Sequence, residues 1–377
     1  MNDSVKKRDR GRSCLVLLLI LVLGMSLNAC AGLPGRLLER LSKETTVEES
    51  CESASEQTTG TSAEVVSEET FADEMPTESS SAPQEILKPG DSKGIMWEVT
   101  SPDGSGKLYL LGSIHIALEE TSYFHPAVIE AFYASGALVV ECDVVAFESD
   151  FAAITAVAAK LMYTDGTTLR DHMAEETYSL LKAYVEENDV GYPMLFLDYM
   201  TVYAVLDILQ LGLYMDYGFL PEYGVDSTLL HAAKAANMPV IEVESVAFQM
   251  DMLTSFSDEL QELLMIDFLE NHESVLESIE EMLEMWRAGD IAGFEAYLDE
   301  DEEVETDVTP EAEALIEEYN RKMLDDRNLG MTDKAIELLE SGETYFYVVG
   351  AAHMFGDTGI VPDLIAAGYS VVPMEYE

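Results

Sequence analysis

Lys107 to His115 reads KLYLLGSIH, and Tyr345 to His353 reads YFYVVGAAH. Each is a short run rich in apolar and aromatic residues that ends in Gly-x-x-His. The runs are continuous in apolar residues rather than alternating, the pattern of strands buried on both faces. A glycine at a strand end lets the backbone turn, or lets another group come close. The histidine that follows then stands at the mouth of a sheet, where α/β proteins place their ligands. The rest of the chain is weighed by whether it brings more polar groups to that mouth.

Working outward, Met96–Val99 reads as a strand and Ser101–Gly104 as a hairpin turn into the first motif. Pro126–Ala134 suggests a helix with proline in its first turn. Ala137–Val145 reads as another buried strand, interrupted by Glu141 and Asp143. A carboxylate there is expensive unless it is paired or bound to a metal. From Phe151 to Gln210 the chain is largely helical. Thr168–Asp171 precedes a helix through Glu187, and Tyr199–Leu211 is an apolar helix. Gly224-Val225-Asp226 leads into a helix through Ala236. Met238–Val246 is a further strand with Glu242 and Glu244 near its end. Phe248–Trp286 carries the apolar spacing of one or two amphipathic helices. Asp299–Asp307 reads as a solvated acidic loop, Pro310–Met323 and Met331–Leu339 as helices. After the second motif come a helix over Val361–Ala367 and a strand over Tyr369–Pro373. Strands at both ends with a helical middle predict an α/β (α+β) domain over residues 94–377. Its central mixed β-sheet is assembled from both ends of the chain, with a large helical insertion as cap.

The N-terminus differs in kind. Lys6, Lys7, Arg8, Arg10 and Arg12 precede a short apolar stretch, Cys14–Leu27. It is shorter than the roughly 20 residues of a comfortable transmembrane helix and has the layout of a signal peptide, residues 1–29. Leu27-Asn28-Ala29-Cys30 resembles a bacterial lipobox, which implies cleavage before Cys30 and lipid on it. The other reading is an uncleaved membrane anchor. Either way the body is expected to be extracytoplasmic and tethered to a membrane. Residues 30–92 are rich in Ser, Thr and Glu and poor in aromatics, the composition of a disordered tether. With 73 acidic against 20 basic residues the net charge is −53, which repels nucleic acid. Cysteine offers no zinc spacing and no disulfide framework. Cys142 reads as a small buried hydrophobe.

LYLLGSIHIA, ALVVECD, GTTLRD, GVDSTLL, PVIEVES, DRN and VVGAAH, in this order, resemble the pattern of the TraB/GumN family. That family is related to the Tiki proteins and to the erythromycin-esterase-like and ChaN-like groups. The resemblance covers residues 94 to 377. It implies two half-repeats whose histidines, here His115 and His353, meet in one cleft. The family glutamates fall on Glu141 and Glu244, although Glu242 stands where a small residue is usual. Gln249 matches a downstream glutamine, and Arg327 and Asn328 match an Arg-Asn pair ahead of a helix. Tiki relatives are described as metal-dependent peptidases, and the TraB branch is linked to inhibition of peptide pheromones.

Two neutral imidazoles and one or two carboxylates suit a divalent metal such as Mn, Co or Zn. On this reading His115, Glu141 and His353 hold the metal, Glu244 is base or fourth ligand, and Arg327 holds an anion. The chain is then a metal-dependent, peptidase-like hydrolase acting on a peptide or a small amide or ester. Two alternatives stand beside it: a binding protein that sequesters a peptide or small ligand in the same cleft, and a His/Glu hydrolase that needs no metal. Plainer readings exist for single residues. A lone histidine at a strand end is usually just hydrogen-bonded in place. Glu141 could be an ion pair with Arg170 or Arg327, and Asp226 a helix cap. His125, His172 and His231 read as surface or capping residues, and His272 as solvated.

Overall fold

The computed structural model describes residues 87–188, 190–302 and 310–376. The leader, Cys30 and the tether as far as residue 86 lie outside these residues. The described residues open with β1 (Lys88–Ser92), β2 (Ile95–Thr100) and β3 (Lys107–Ser113), then β4 (Tyr123–Phe124), α1 (Pro126–Ala134) and β5 (Ala137–Val140). Helices α2 (Val144–Phe147), α3 (Phe151–Lys160), α4 (Glu175–Glu187), α5 (Met194–Leu197), α6 (Val202–Asp216) and α7 (Val225–Ala236) follow, and then β6 (Val240–Glu242). Next come α8 (Val246–Leu253), α9 (Asp258–Ala288), α10 (Ile291–Glu302), α11 (Pro310–Asn320) and α12 (Asp326–Glu340). The chain ends with β7 (Thr344–Gly350), α13 (Ile360–Ala366) and β8 (Ser370–Pro373).

The main sheet has six strands in the order β6-β5-β7-β3-β2-β8. β6, β5, β7 and β3 run parallel, while β2 pairs antiparallel with both β3 and β8. Strands from both ends of the chain share the sheet, as the order of apolar runs predicts, and β6 from the helical middle forms one edge. All of β5 and most of β3 and β7 are buried, in keeping with strands covered on both faces. The two motif strands are direct neighbours, in register from Lys107↔Thr344 to Ser113↔Gly350. Trp286 on α9 reaches back to this sheet and donates its indole N–H to Gly112 O at 2.7 Å. Among the described residues no helix is long and apolar enough to cross a membrane.

Several boundaries differ from the sequence reading, each for a local reason. The strand expected over Ala137–Val145 stops at Val140, because the Asp143 carboxylate accepts from Ala146 N and starts α2. The strand expected over Met238–Val246 shrinks to Val240–Glu242, because the Ser245 hydroxyl caps α8 at Phe248 N. The acidic stretch expected as a loop from Asp299 begins inside α10, which continues to Glu302. The two helices expected from Pro310 and from Met331 are joined. α11 passes through a π-helical turn, Arg321–Asp325, straight into α12. Lys88–Ser92, polar and unremarkable as sequence, is a strand only because it pairs with Tyr123 and Phe124.

Candidate functional site

The four parallel strands end side by side, and each delivers a polar residue just past its C-terminal end: Glu244 after β6, Glu141 after β5, His353 after β7 and His115 after β3. This is the edge at which open α/β sheets bind ligands. The shortened strands matter here. Glu141 is the first residue beyond β5 rather than a charge in the middle of a strand.

Glu141 is wholly buried. Its Oε2 accepts from Arg327 Nη2 at 2.6 Å and from Gln249 Nε2 at 2.8 Å, and its Oε1 accepts from the Gly350 backbone N–H at 2.6 Å. Burial alone would raise the pKa of this carboxyl. The Arg327 guanidinium, the two imidazoles and the Gly350 N–H outweigh it and hold the pKa down at about 2. Glu244 takes the other side of the same guanidinium, with Arg327 Nε 2.9 Å from Oε1 and Nη2 2.9 Å from Oε2. Gln249 Nε2 bridges the two acids, 2.9 Å from Glu244 Oε2. Its own Oε1 receives the Cys142 thiol at 3.5 Å, and burial pushes that thiol's pKa well up. Arg327 sends Nη1 to Met323 O within the π-turn that precedes α12. A π-turn shifts the facing of the residues after it, and such turns are frequent at functional sites.

Behind each imidazole stands a different partner. His115 Nδ1 lies 2.6 Å from Asp226 Oδ2, so the carboxylate fixes the proton on Nδ1 and turns Nε2 toward the cluster. His115 Nε2 is buried and has no hydrogen-bond partner. Burial lowers the affinity of this ring for a second proton, but Asp226 and then Glu141 outweigh it, and the pKa is raised. His353 Nδ1 lies 2.5 Å from Asn328 Oδ1, and its Nε2 is 3.8 Å from Glu141 Oε1. Here burial and the Arg327 charge prevail and hold the pKa down at about 3.

The groups surround one small space. A Cβ placed on Gly350 would lie 3.2 Å from Glu141 Oε1, 3.3 Å from His353 Cδ2 and 3.6 Å from His115 Nε2. Glycine at 350 leaves that space free. Two imidazole nitrogens and a carboxylate oxygen are the donor types a divalent metal takes, and the unpartnered Nε2 and the cradle over Gly350 fit one. Among the described residues, however, no three His, Cys, Asp or Glu side chains are gathered closely enough to hold a metal as they stand.

All five residues singled out from the sequence, His115, Glu141, Glu244, Arg327 and His353, meet at this mouth. Glu242 turns away and accepts from Asp143 N on the surface. The plainer reading of Glu141 holds in part: it is ion-paired, with Arg327, while Arg170 pairs with Glu175 on the surface. Asp226, read as a helix cap, is the residue the sequence analysis misplaced. It is the second residue of α7, and its carboxylate serves His115 instead. A signal was present in Gly224, where a Cβ would lie 2.1 Å from His115 O: only glycine lets α7 start this close to the motif. His125 does cap α1, accepting from Ala127 N.

A family model described as the TraB/PrgY/gumN family matches residues 95–373. The chain is 26% identical over 272 residues to the uncharacterized protein YbaP of Escherichia coli (strain K12), covering 71% of this chain and 90% of that protein. YbaP of Shigella flexneri matches to the same extent. No solved structure matches.

Proposed function

The chain belongs to the TraB/PrgY/gumN family, and from that premise we propose that it is a hydrolase of peptide, amide or ester bonds that works at the cradle over Gly350. The observation that carries this reading is His115. Its Nδ1 proton is fixed by Asp226, and its Nε2 is buried, unpartnered and directed at a space shared with Glu141 and His353. An imidazole nitrogen so prepared can accept a proton from an attacking oxygen or bind a metal.

In the metal-dependent form His115, His353 and Glu141 are the ligands, and a divalent Mn, Co or Zn would supply water activation and carbonyl polarisation. Asp226 and Asn328 set which nitrogen of each ring faces the cradle. Glu141 and Glu244 share the single guanidinium of Arg327, and Asp226 stands behind His115, so three carboxylates meet one arginine at this site, a balance that favours a cation. Arg327 has Nε, Nη1 and Nη2 engaged by protein oxygens, so we assign it to fixing Glu141 and Glu244 rather than to holding a substrate anion. A second reading is metal-free hydrolysis with His115 as base, favoured by the Asp226 carboxylate on its Nδ1 and by its unpartnered Nε2. We also propose that the leader places this domain outside the cytoplasm with lipid on Cys30. Loss of labelled fatty acid from Cys30→Ser is the expected result.

The test is turnover of a peptide and ester library by purified protein, with and without Mn, Co or Zn, alongside metal analysis. Metal bound by wild type, absent from His115→Ala, with chelation abolishing cleavage, supports the first reading. Cleavage that survives exhaustive chelation supports the second. Ligand binding without cleavage, under every metal condition and with the site intact, overturns both in favour of a sequestering protein. Gly350→Ala serves as a control: its methyl fills the cradle, so cleavage is lost while the fold remains.

A further inference from the structure

Ser113 is fully buried, and its Oγ has no hydrogen-bond partner. A buried hydroxyl left unpaired loses its hydrogen bonds to water without replacement, so its place in the fold calls for a reason. The strand register supplies one. Ser113 on β3 is directly opposite Gly350 on β7. Residues opposed in neighbouring strands send their side chains to the same face of the sheet. On that face a Cβ at Gly350 would meet Glu141 Oε1 at 3.2 Å, the His353 ring at 3.3 Å and His115 Nε2 at 3.6 Å. The Ser113 side chain therefore borders the same cradle from the adjoining strand. His115 Nε2, unpaired and buried as well, belongs to the same chain segment two residues on.

An imidazole nitrogen that accepts and a hydroxyl that donates, both unpaired and both facing one cradle, are complementary to a single water molecule. We propose that Ser113 Oγ and His115 Nε2 together hold a water over Gly350, and that this water is the nucleophile of the hydrolysis. The second half rests on the metal-free reading proposed above, in which His115 Nε2 is free to take a proton. The water oxygen forms a bond to the carbonyl carbon, and the carbonyl π pair moves onto its oxygen. The water proton passes to His115 Nε2, which returns it to the departing nitrogen or oxygen as the scissile bond breaks. Carboxylic acid and amine or alcohol are the products. Ser113 keeps its proton and is not acylated.

Two measurements test this. High-resolution crystal structures of wild type, Ser113→Ala and Ser113→Thr come first. A water within hydrogen-bond distance of both Ser113 Oγ and His115 Nε2, kept with threonine and lost with alanine, is expected. No water there, or Ser113 Oγ bonded to the protein instead, overturns the proposal whatever the enzyme does. The second is kinetics on the best-cleaved peptide or ester of the library. Ser113→Ala should lower kcat about 100-fold with KM nearly unchanged, the scale of one lost hydrogen bond at a reacting oxygen, and threonine should restore most of it. Unchanged kcat in Ser113→Ala overturns the catalytic half, as does a covalent adduct of a fluorophosphonate probe on Ser113. A wild-type protein that cleaves nothing ends the proposed function, while the water site still stands or falls by crystallography.

Discussion

The two Gly-x-x-His motifs lie on neighbouring parallel strands and end in rings that face one cradle, yet the rings are backed differently. A carboxylate, Asp226, holds His115, and an amide, Asn328, holds His353. Asp and Asn differ by one polar group at nearly constant volume. The first ring is drawn toward the charged form by its carboxylate, while burial and Arg327, with no carboxylate on Nδ1 to oppose them, hold the second neutral with a pKa of about 3. Near-identical sequence motifs thus become a proton-seeking and a proton-refusing imidazole. A duplicated strand supplies the geometry, and a residue far away in sequence supplies the chemistry.

The strongest way to break the comparison is to remove what both rings share. Arg327→Met leaves Glu141 and Glu244 buried without a counter-charge and should lower unfolding stability by about 3–5 kcal/mol, read by urea denaturation. A loss below about 1 kcal/mol would mean that the carboxylates are solvated or protonated in solution. Next in size, Asp226→Asn makes the first motif copy the second. Histidine NMR should show the His115 pKa falling, and metal affinity or turnover should drop about 10–100-fold. An unchanged His115 pKa would break the claim that Asp226 sets it.

Acid titration of the metal-free protein sharpens the contrast further. His353 is neutral when folded, with a pKa near 3 against an ordinary 6.5, so unfolding takes up a proton, and the stability it gives is lost as pH falls from 6.5 toward 3. Glu141, held at about 2 against an ordinary 4.5, adds its own loss as pH falls below 4.5. His115 runs the other way. Its raised pKa gives stability that is complete below 6.5 and lost as pH rises through the folded value. His353→Asn should therefore flatten stability against pH between 6.5 and 4.5, while His115→Asn should remove the loss of stability that sets in as pH rises above 6.5. The smallest effect is expected from Asn328→Asp, which should raise the His353 pKa and leave the fold intact. A His353 titration that does not move would show that burial and Arg327 alone govern it.

The fold was legible because its signals are local. Continuous apolar runs marked β3, β7 and the start of β5, proline marked the start of α1, and the apolar spacing marked α8 and α9 together. Errors cluster where a side chain competes with the strand for the backbone. Asp143 and Ser245 end their strands by capping helices, and no apolar pattern announces that. The site was legible in its members but not in their roles. Arg327 reads as an anion holder until its donors are seen to be used inside the protein, and Asp226 reads as a cap until α7 is docked against His115.

From sequence alone came the paired motifs, the strand-helix-strand order and the set of polar residues able to do chemistry. The tertiary structure alone decided that Glu244 and not Glu242 faces inward, that Asp226 backs His115, and that Ser113 stands opposite Gly350. The reason is range. Periodicity records what a residue does with neighbours one turn or one pleat away, whereas protonation and facing in this site are set by partners such as Asp226, 111 positions from His115, and Arg327, 186 from Glu141, which only the register of the sheet brings together.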